Sequence, residues 1–392
     1  MRKVGTVVRG IRTPIIKAND DLKQIVIDSL MSAKESENYE FHDKDIVAIT
    51  EAVVAISENN YVTVDDIKED ILKKYKNKEV GLLFPILSRN RFSLILKAIA
   101  RAMDKIYLQL SFPCDEVGNG ILDEDDFNRS GFNLGSLITE EAYDKFFGNY
   151  IHPFTGINMK DFYKELIESE DCEVEFIFSN DSKTIATYTN DILVCEIHNR
   201  EKTKELLSEY NVYTLCDVMN KRRKNTGYNP TYGLLGSNKA TEEKLKLFPR
   251  NGNSLVNSIQ KELKKVTGKN IEVMVYGDGA FKDPVGGIWE LADPVVSPAY
   301  TKGLKGTPNE LKLKYLSDNK FKDLKGEELV KAMKKEVKRK QKDLKGTMLS
   351  QGTTPRRIVD LIGSLSDLTS GSGDKGTPVV FIQGYFDNYS ND

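Results

Sequence analysis

The chain has 392 residues, of which 39% are hydrophobic and 30% charged, and this composition describes an ordinary globular protein. Its length exceeds what one simple core usually holds, so we expect two domains or one elaborated domain. The formal net charge of -2 excludes a broadly basic surface, which argues against binding to nucleic acid or to an anionic membrane. No apolar run is long enough to cross a bilayer, and the four cysteines form no CxxC pair, so we expect a cytoplasmic protein with reduced thiols.

The first informative segment is GIRTPIIKANDDL, residues 10–22, which follows a predicted N-terminal strand. Pro14 fixes its own φ and pushes Thr13 towards an extended conformation, so the segment begins as a stiff loop. The Asn-Asp-Asp run supplies helix-capping residues, and the apolar spacing after it predicts a helix from about Asp21. The two isoleucines of the loop either pack into the core or form the wall of a pocket, and both interpretations stay open here.

Alternation and helical spacing predict the elements that follow. Strands are predicted at 45–50, 106–112, 173–179, 191–197, 271–279 and 378–385, and helices from 63, at 91–105, 159–169, 200–210, 253–268 and 326–344, and from 355. The acidic, glycine-rich stretch 114–136 is predicted to be a long loop or a pair of turns. Strands and helices mix without a regular βαβ rhythm, which favours an α+β fold, with mixed or antiparallel sheets and packed helices, over a doubly wound sheet.

The strongest candidate for chemistry is Asp278, which follows a buried strand in VMVYGDGAF. Gly277 and Gly279 on either side let backbone and ligand approach closely, and a carboxylate at the end of a strand is well placed to hold a hard cation. The alternative is a turn aspartate that binds only its own backbone. Spacing alone does not decide between the two.

A second candidate is the glycine loop LTSGSGDKGTP, residues 368–378, between a predicted helix and a predicted strand. Its glycines free backbone N–H groups to face a phosphate, Asp374 could bind magnesium or manganese, and Lys375 could neutralise charge. The GK[ST] ending of a Walker A loop is missing, as is the helix that follows such a loop. A flexible surface loop is the alternative interpretation.

Two arginines, Arg89 and Arg91, precede the helix predicted to begin near Phe92. Two guanidinium groups beside a helix N-terminus make an anion site for phosphate or carboxylate, and the alternative is a pair of plain surface arginines.

Motifs of acyl-enzyme catalysis are absent from the sequence. The three histidines are far apart, and no GxSxG motif is present. The available groups therefore suit phosphoryl chemistry better than an acyl-enzyme mechanism.

Taken in order, these motifs resemble those of the coenzyme F-420-0:L-glutamate ligase family, which adds glutamate to a deazaflavin cofactor through γ-linked amide bonds. The stretch TPIIKANDDL looks like the family's Leu-Pro-Leu-Ile-Lys-x-Gly-Asp-Asp-Leu, with Asn19 where glycine is usual. Four further segments are similar to family motifs, and they read KDIVAITEAVVAISENN, GLLGSNKA, GDGAFKDPVGG and SGSGDKGTPVVFIQG. The match covers about half of the chain, because residues 80–230 contain large additions.

The resemblance implies a γ-glutamyl-ligase-like α+β fold, with residues 1–80 and 230–392 as the nucleotide-binding core and 81–229 as an elaborated insertion or second subdomain. It also implies GTP as cosubstrate, a divalent metal (Mg²⁺ or Mn²⁺) held by Asp278, and a homodimer. The residues that it places around the guanine nucleotide are Thr13, Pro14, Ile15, Ile16, Asn238, Gly371, Ser372, Gly373, Asp374 and Gly376.

The chain departs from the family pattern at positions that concern chemistry. The family's metal aspartate in Gly-Ile-Asp falls on Leu235, which cannot ligate, and the family's arginine-rich turn is shortened to residues 281–284. Asn59 and Asn60 stand where the family has Gly-Arg. Candidate replacement carboxylates in the additions are Asp217, Asp115 and Glu116. The candidate catalytic residues are Asp278, Arg89, Arg91 and Lys282, of which the three basic ones would hold anionic groups.

The predicted function is a nucleotide- and metal-dependent amide-bond ligase that adds glutamate or a related amino acid to a carboxylate acceptor through an acyl phosphate. Its partners would be a nucleotide and small-molecule carboxylate and amino-acid substrates, with no nucleic acid and no membrane. The alternative is a non-catalytic nucleotide- or cofactor-binding protein that retains the ligase fold, which Leu235 favours.

Overall fold

The computed structural model describes residues 4–223, 226–279, 287, 292–350, 356–370 and 374–390. The strands in these ranges are β1 (Val7–Ile11), β2 (Ile46–Thr50), β3 (Tyr61–Thr63), β4 (Glu79–Leu83), β5 (Lys105–Leu110), β6 (Ile138–Thr139), β7 (Glu173–Phe178), β8 (Asp191–Val194), β9 (Asn211–Thr214), β10 (Asn238–Thr241), β11 (Lys244–Lys246), β12 (Glu272–Tyr276), β13 (Ala299–Tyr300) and β14 (Val379–Gln383). The α-helices are α1 (Leu22–Glu37), α2 (Glu51–Ser57), α3 (Val64–Lys74), α4 (Ser93–Ala100), α5 (Glu124–Ser130), α6 (Glu140–Phe147), α7 (Met159–Glu168), α8 (Arg200–Leu206), α9 (Gly252–Thr267), α10 (Leu313–Asp318), α11 (Gly326–Arg339) and α12 (Ile358–Ser370). None of these helices is both long and apolar enough to span a bilayer.

A five-stranded sheet joins the two ends of the described chain, in the order β1-β14-β2-β12-β13. β2 and β12 run parallel, and the other neighbours are antiparallel. Both faces of this sheet are covered, because Val47 and Ile49 of β2 pack in the core with α1 and α9, whereas Ile46 and Ala48 pack in the core with α12. The apolar run of β2 is therefore typical of a strand buried on both sides.

A six-stranded sheet, in the order β6-β7-β5-β4-β8-β9, is built from residues 79–214. Five of its strands are parallel, and only β6 is antiparallel to its neighbour. Numbered along the chain, the parallel strands lie in the order 3-2-1-4-5, which is typical of doubly wound nucleotide-binding sheets. The sequence pattern does not reveal this sheet, because the connection from β5 to β7 is long and carries three helices.

One of those helices, α5, corrects the prediction that residues 114–136 form only loop and turns. Asp123 caps α5, since its side chain accepts hydrogen bonds from the N–H groups of Asp125 and Asp126. The helix ends at Gly131, which has a φ of 82°. The sequence pattern assigned Glu124, Asp125 and Asp126 to turns. In the structure they form the acidic first turn of a short helix.

A small antiparallel sheet, β10-β11-β3, lies between the two larger sheets. Val62 of β3 and Leu245 of β11 belong to the same apolar core as α3, α4 and the parallel sheet. The predicted helix from Thr63 is α3, which begins with a capping box between Thr63 and Asp66. Helices, mixed sheets and an antiparallel sheet together confirm the predicted α+β class.

Candidate functional site

The candidate site lies where β2 and β12 end side by side. These strands are parallel, and their last residues, Thr50 and Tyr276, are opposite each other in the register. Glu51 is the first residue of α2, and Asp278 lies two residues beyond β12. The carboxyl ends of neighbouring parallel strands are where open α/β sheets bind ligands, so the topology places these two carboxylates at such a position.

Two more aspartates join Asp278 from segments that are distant in the chain. The N–H of Asp278 donates to Asp293 Oδ2 at 2.8 Å, and the N–H of Gly279 donates to Asp367 Oδ2 at 2.8 Å. A Cβ added to Gly277 would lie 2.5 Å from Asp293 Oδ2, and one added to Gly279 would lie 3.0 Å from Asp367 Oδ2. The two glycines are therefore needed so that the backbone can approach the carboxylates closely.

Arg91 neutralises part of this negative charge. It lies in the loop between β4 and α4, and its Nη2 is 2.7 Å from Asp278 Oδ2 while its Nη1 is 2.5 Å from Asp293 Oδ1. The Arg91 side chain is only 15% exposed and that of Asp293 only 1%. The six-stranded sheet thus contributes a fixed cation to a site that otherwise belongs to the five-stranded sheet.

Glu51 and Lys246 form a second, buried ion pair. Lys246 Nζ lies 2.7 Å from Glu51 Oε1 and 2.9 Å from Oε2, and both side chains are less than one-tenth exposed. Lys246 comes from β11, so the small sheet also reaches the site. Burial raises the pKa of Glu51, Lys246 opposes this shift, and the nearby charge of Asp293 adds to it.

Carboxylates outnumber cations in this site. Glu51, Asp278, Asp293 and Asp367 face Arg91 and Lys246. Burial and the charge of Asp293 raise the pKa of Asp278 to about 7, although Arg91 lowers it. Burial also raises the pKa of Asp367, against the lowering effect of the Gly279 N–H. The site therefore holds more negative charge than its own basic residues balance.

The carboxylates of the site are oxygen donors of the kind that can bind a divalent cation. In the described ranges, no group of three or more His, Cys, Asp or Glu side chains is arranged to hold a metal ion. Mg²⁺ usually keeps several waters and is bound by one or two carboxylates together with substrate phosphates, so a complete protein cage is not required. Asp278 and Asp367 are hard oxygen donors of the right kind, and the surplus of negative charge favours such an ion.

The proline-containing loop contacts Gly376 of the glycine loop. The N–H of Thr13 donates to the carbonyl of Gly376 at 3.2 Å, and Thr13 and Pro14 line a cavity of about 850 Å³ between β1 and α1. Ile16 is buried in the core, whereas Ile15 is 87% exposed, so the two isoleucines do not share one role. Gly371, Ser372 and Gly373 lie outside the described residues, as does Lys282.

Asn238 is also close to the site. It is opposite Lys246 in the β10–β11 register, and the next residue, Lys239, donates its N–H to the carbonyl of Asn90. Leu235 and Arg91 line the same small cavity of about 20 Å³, and Leu235 is 2% exposed. The position that aligns with the family's metal aspartate is therefore apolar here, and it lines the same small cavity as Arg91.

Other predicted residues have partners elsewhere or are exposed. Asp217 Oδ2 is 2.8 Å from Lys204 Nζ and accepts from Thr214, an arrangement that holds the end of β9. Asp374 is exposed, and so is Arg89, whereas Arg91 two residues later is partly buried. No described contact joins Asp217, Asp374 or Arg89 to the acidic site, and their proposed roles stay predictions.

Asp115 and Glu116 serve the parallel sheet. Asp115 is buried and accepts from the N–H groups of Leu87, Val117 and Asn119. Glu116 accepts from the N–H groups of Ile197 and His198, just beyond β8. These two carboxylates therefore close the end of the sheet at which a doubly wound fold would hold a nucleotide.

The sequence patterns did not identify four residues of the site, which are Glu51, Lys246, Asp293 and Asp367. Glu51 carried a usable signal, because it directly follows a buried strand just as Asp278 does. Lys246, Asp293 and Asp367 had none, since a lysine in a short strand, an aspartate before proline and an aspartate within a helix are all common on surfaces.

Fold and site together define an α+β protein with an acidic, partly buried centre at the ends of two parallel strands. A family profile described as F420-0:Gamma-glutamyl ligase matches residues 10–384, nearly the whole chain. The chain belongs to this family, which confirms the resemblance seen in its motifs. A search of curated proteins finds no match.

Proposed function

We propose that the protein is a nucleotide- and metal-dependent ligase that joins glutamate, or a related amino acid, to a carboxylate acceptor. The observation that carries this proposal is the acidic site around Asp278, where fixed cations and surplus carboxylates meet at the ends of β2 and β12. GTP as the nucleotide, Mg²⁺ or Mn²⁺ as the metal and a homodimer as the assembly are further parts of the proposal, and they rest on family membership.

The reaction has two steps. A carboxylate oxygen of the acceptor attacks the γ-phosphorus of the nucleotide, the bond to the β–γ bridging oxygen breaks, and the nucleoside diphosphate leaves. The amine nitrogen of the amino acid then attacks the acyl carbon, phosphate leaves, and the nitrogen loses a proton. Catalysis of this type depends on alignment of the reacting groups and on neutralisation of phosphoryl charge.

The residues have separate roles in this proposal. Asp278 and Asp367 would hold a divalent cation, which when bound neutralises charge on the transferred phosphoryl group. Arg91 holds Asp278 and Asp293 in place and supplies positive charge at the position where the neighbouring Leu235 provides no ligand. Lys246 keeps Glu51 paired, so that the buried carboxylates do not all repel one another.

The second candidate is a binding protein that holds the nucleotide without turning it over. Leu235 favours this function, because one carboxylate of the family pattern is missing. The two candidates differ in a single observable, which is the release of phosphate that depends on an acceptor and an amino acid.

The test combines calorimetry with a phosphate-release assay. GTP and ATP are titrated with and without Mn²⁺, and phosphate release is then measured with a panel of amino acids and carboxylate acceptors. We expect metal-dependent binding and turnover in the wild type, and a loss of turnover of about 100-fold or more in Asp278→Asn with an unchanged circular dichroism spectrum. Asp318→Asn, at the exposed end of α10, is the matched control.

Two outcomes would contradict the proposal that the protein is a ligase. Tight nucleotide binding without phosphate release in any mixture supports the binding protein instead. Full turnover in Asp278→Asn would remove the acidic site from the mechanism.

A further inference from the structure

A second polar cavity carries an excess of positive charge. It has a volume of about 660 Å³, and its lining includes four basic residues and two carboxylates, Glu58 and Asp66. The basic residues are Arg222, Arg223, Lys244 and Arg250. None of the acidic-site residues lines it. We refer to it as the basic cavity.

Most of this positive charge has no carboxylate partner among the residues that the structure describes. Arg223 pairs with Asp70, but no described ion pair involves Arg222, Lys244 or Arg250. Glu58, one of the two carboxylates that line the cavity, accepts from the N–H groups of Arg250 and Asn251 at the start of α9. Its charge is thus balanced by the helix N-terminus rather than by a side chain.

Two of the cations are held in fixed positions by neutral groups. The Arg250 guanidinium donates to the side-chain oxygen of Asn60, which is fully buried, and its Cζ lies 5.2 Å from the centre of the Tyr228 ring. Lys244 Nζ lies 4.4 Å from the centre of the Tyr61 ring. Aromatic faces stabilise cations without cancelling their charge, so both groups stay available to an anion.

The backbone brings these groups together. Lys244 and Tyr61 are on one face of the small sheet, because Lys244 is opposite Thr63 and Lys246 is opposite Tyr61. Gly227 donates its N–H to the carbonyl of Tyr61 at 2.7 Å, and a Cβ at this position would lie 2.6 Å from that oxygen. Only glycine at position 227 therefore lets the backbone approach β3 this closely.

We propose that the basic cavity binds a phosphorylated small molecule, at a site separate from the acidic one. Three cations without carboxylate partners in the described part of the chain match the charge of a diphosphate or of two phosphate groups, and arginine and lysine are the residues that recognise phosphate. The cavity volume lies within the range of small-molecule sites, so the cavity has room for an organic part beside the phosphate groups.

The experiment uses the full chain and pyrophosphate as the probe, with isothermal titration at low salt. EDTA is present so that no divalent ion draws the probe to the acidic site. We expect saturable binding, weakened about tenfold in Lys244→Gln and in Arg222→Gln, because each change removes one charge-assisted contact. Lys261→Gln, an exposed lysine of α9 outside the cavity, is the matched control and should bind as the wild type does.

Further measurements distinguish specific binding in this cavity from other sources of affinity. Asp278→Asn should leave the pyrophosphate affinity unchanged, since that residue does not line the cavity. The absence of saturable binding, an equal loss in Lys261→Gln, or a loss in Asp278→Asn would each overturn the proposal. A dicarboxylate such as glutarate that binds more tightly than pyrophosphate would overturn the assignment of phosphate. Circular dichroism of each variant checks that it is folded.

Discussion

At the scale of single residues, charge compensation decides how the acidic site is built. Four carboxylates lie close together because Arg91 and Lys246 offset part of their repulsion.

Two asparagines show a second local feature, which concerns the backbone conformation. Asn19 and Asn59 stand where the family has glycine, and their φ values are 69° and 50°. Asparagine tolerates this left-handed conformation better than other residues with a side chain, so both replacements are compatible with the backbone.

Arg91 and Arg89 form a matched pair of test positions. Arg91→Gln leaves Asp278 and Asp293 without their shared cation, so we expect the free energy of unfolding to fall by about 3 kcal/mol. Arg89→Gln removes an exposed charge without a described partner and should change it by less than about 0.5 kcal/mol. Urea denaturation of both variants measures the difference. Equal stability of the two would show that the ion pairs of Arg91 do not stabilise the fold.

The raised pKa of Asp278 predicts a dependence of stability on pH. Its pKa is about 7 in the folded chain and near 3.8 when unfolded, so the folded state binds the proton more tightly. The stabilisation from this proton is complete below about pH 4 and is lost as the pH rises through 7. We expect the wild type, with EDTA present, to lose on the order of 2 to 3 kcal/mol relative to Asp278→Asn between about pH 5 and pH 8.

Urea denaturation of both proteins at the two pH values gives this difference. A stability gap that stays constant with pH would show that Asp278 titrates normally in the folded protein.

At the scale of elements, the small sheet β10-β11-β3 connects the two larger sheets. One face, with Val62 and Leu245, completes the core of the parallel sheet, while Lys246 on the opposite face reaches Glu51 at the start of α2. Two short strands that carried little signal in the sequence thus fix the position of α2. The geometry of the site is therefore set by which strands pair with each other, rather than by the β-propensity of any one strand.

The buried pair of this sheet gives a test that separates charge from packing. Lys246→Met leaves the Glu51 carboxylate buried and unpaired, so we expect the free energy of unfolding to fall by about 3 to 5 kcal/mol. Adding Glu51→Gln to that variant removes the unpaired charge and should restore at least about half of the loss. Thermal and urea denaturation of the single and double variants measure both effects. A double variant no more stable than Lys246→Met would show that lost packing, not the unpaired charge, causes the damage.

At the scale of the whole molecule, one apolar core crosses the domain boundary predicted from the sequence. Val64 and Ile67 of α3, before residue 81, pack in the same cluster as the strands of the parallel sheet. Leu245 and Leu247, after residue 229, belong to that cluster as well. The parallel sheet therefore shares its core with α3 and with the segment that includes β11.

This shared core predicts that the parallel sheet does not fold alone. We expect residues 76–229, expressed as a fragment, to show no cooperative thermal transition, because the apolar surface beneath α3 and β11 is exposed. A longer fragment, residues 61–250, restores that cover and should regain the transition. Circular dichroism melting curves compare the two fragments with the full chain. Cooperative unfolding of the shorter fragment would establish the parallel sheet as an independent domain.

The sequence by itself determined the family, the α+β class and most of the helices and buried strands. Capping residues and apolar spacing are local signals, so α3 and β2 could be recognised without their neighbours. It also singled out Asp278 and Arg91, because a glycine-flanked carboxylate and an arginine before a helix are local patterns too.

Only the tertiary structure brought Asp293, Asp367, Glu51 and Lys246 to Asp278, and only it distinguished the paired Arg91 from the exposed Arg89. These residues come from segments far apart in the chain. The parallel pairing of β2 with β12 brings the carboxyl ends of these two strands together. Ion pairing, burial and pKa depend on distances across the fold, so they could not be predicted from neighbouring residues in the sequence.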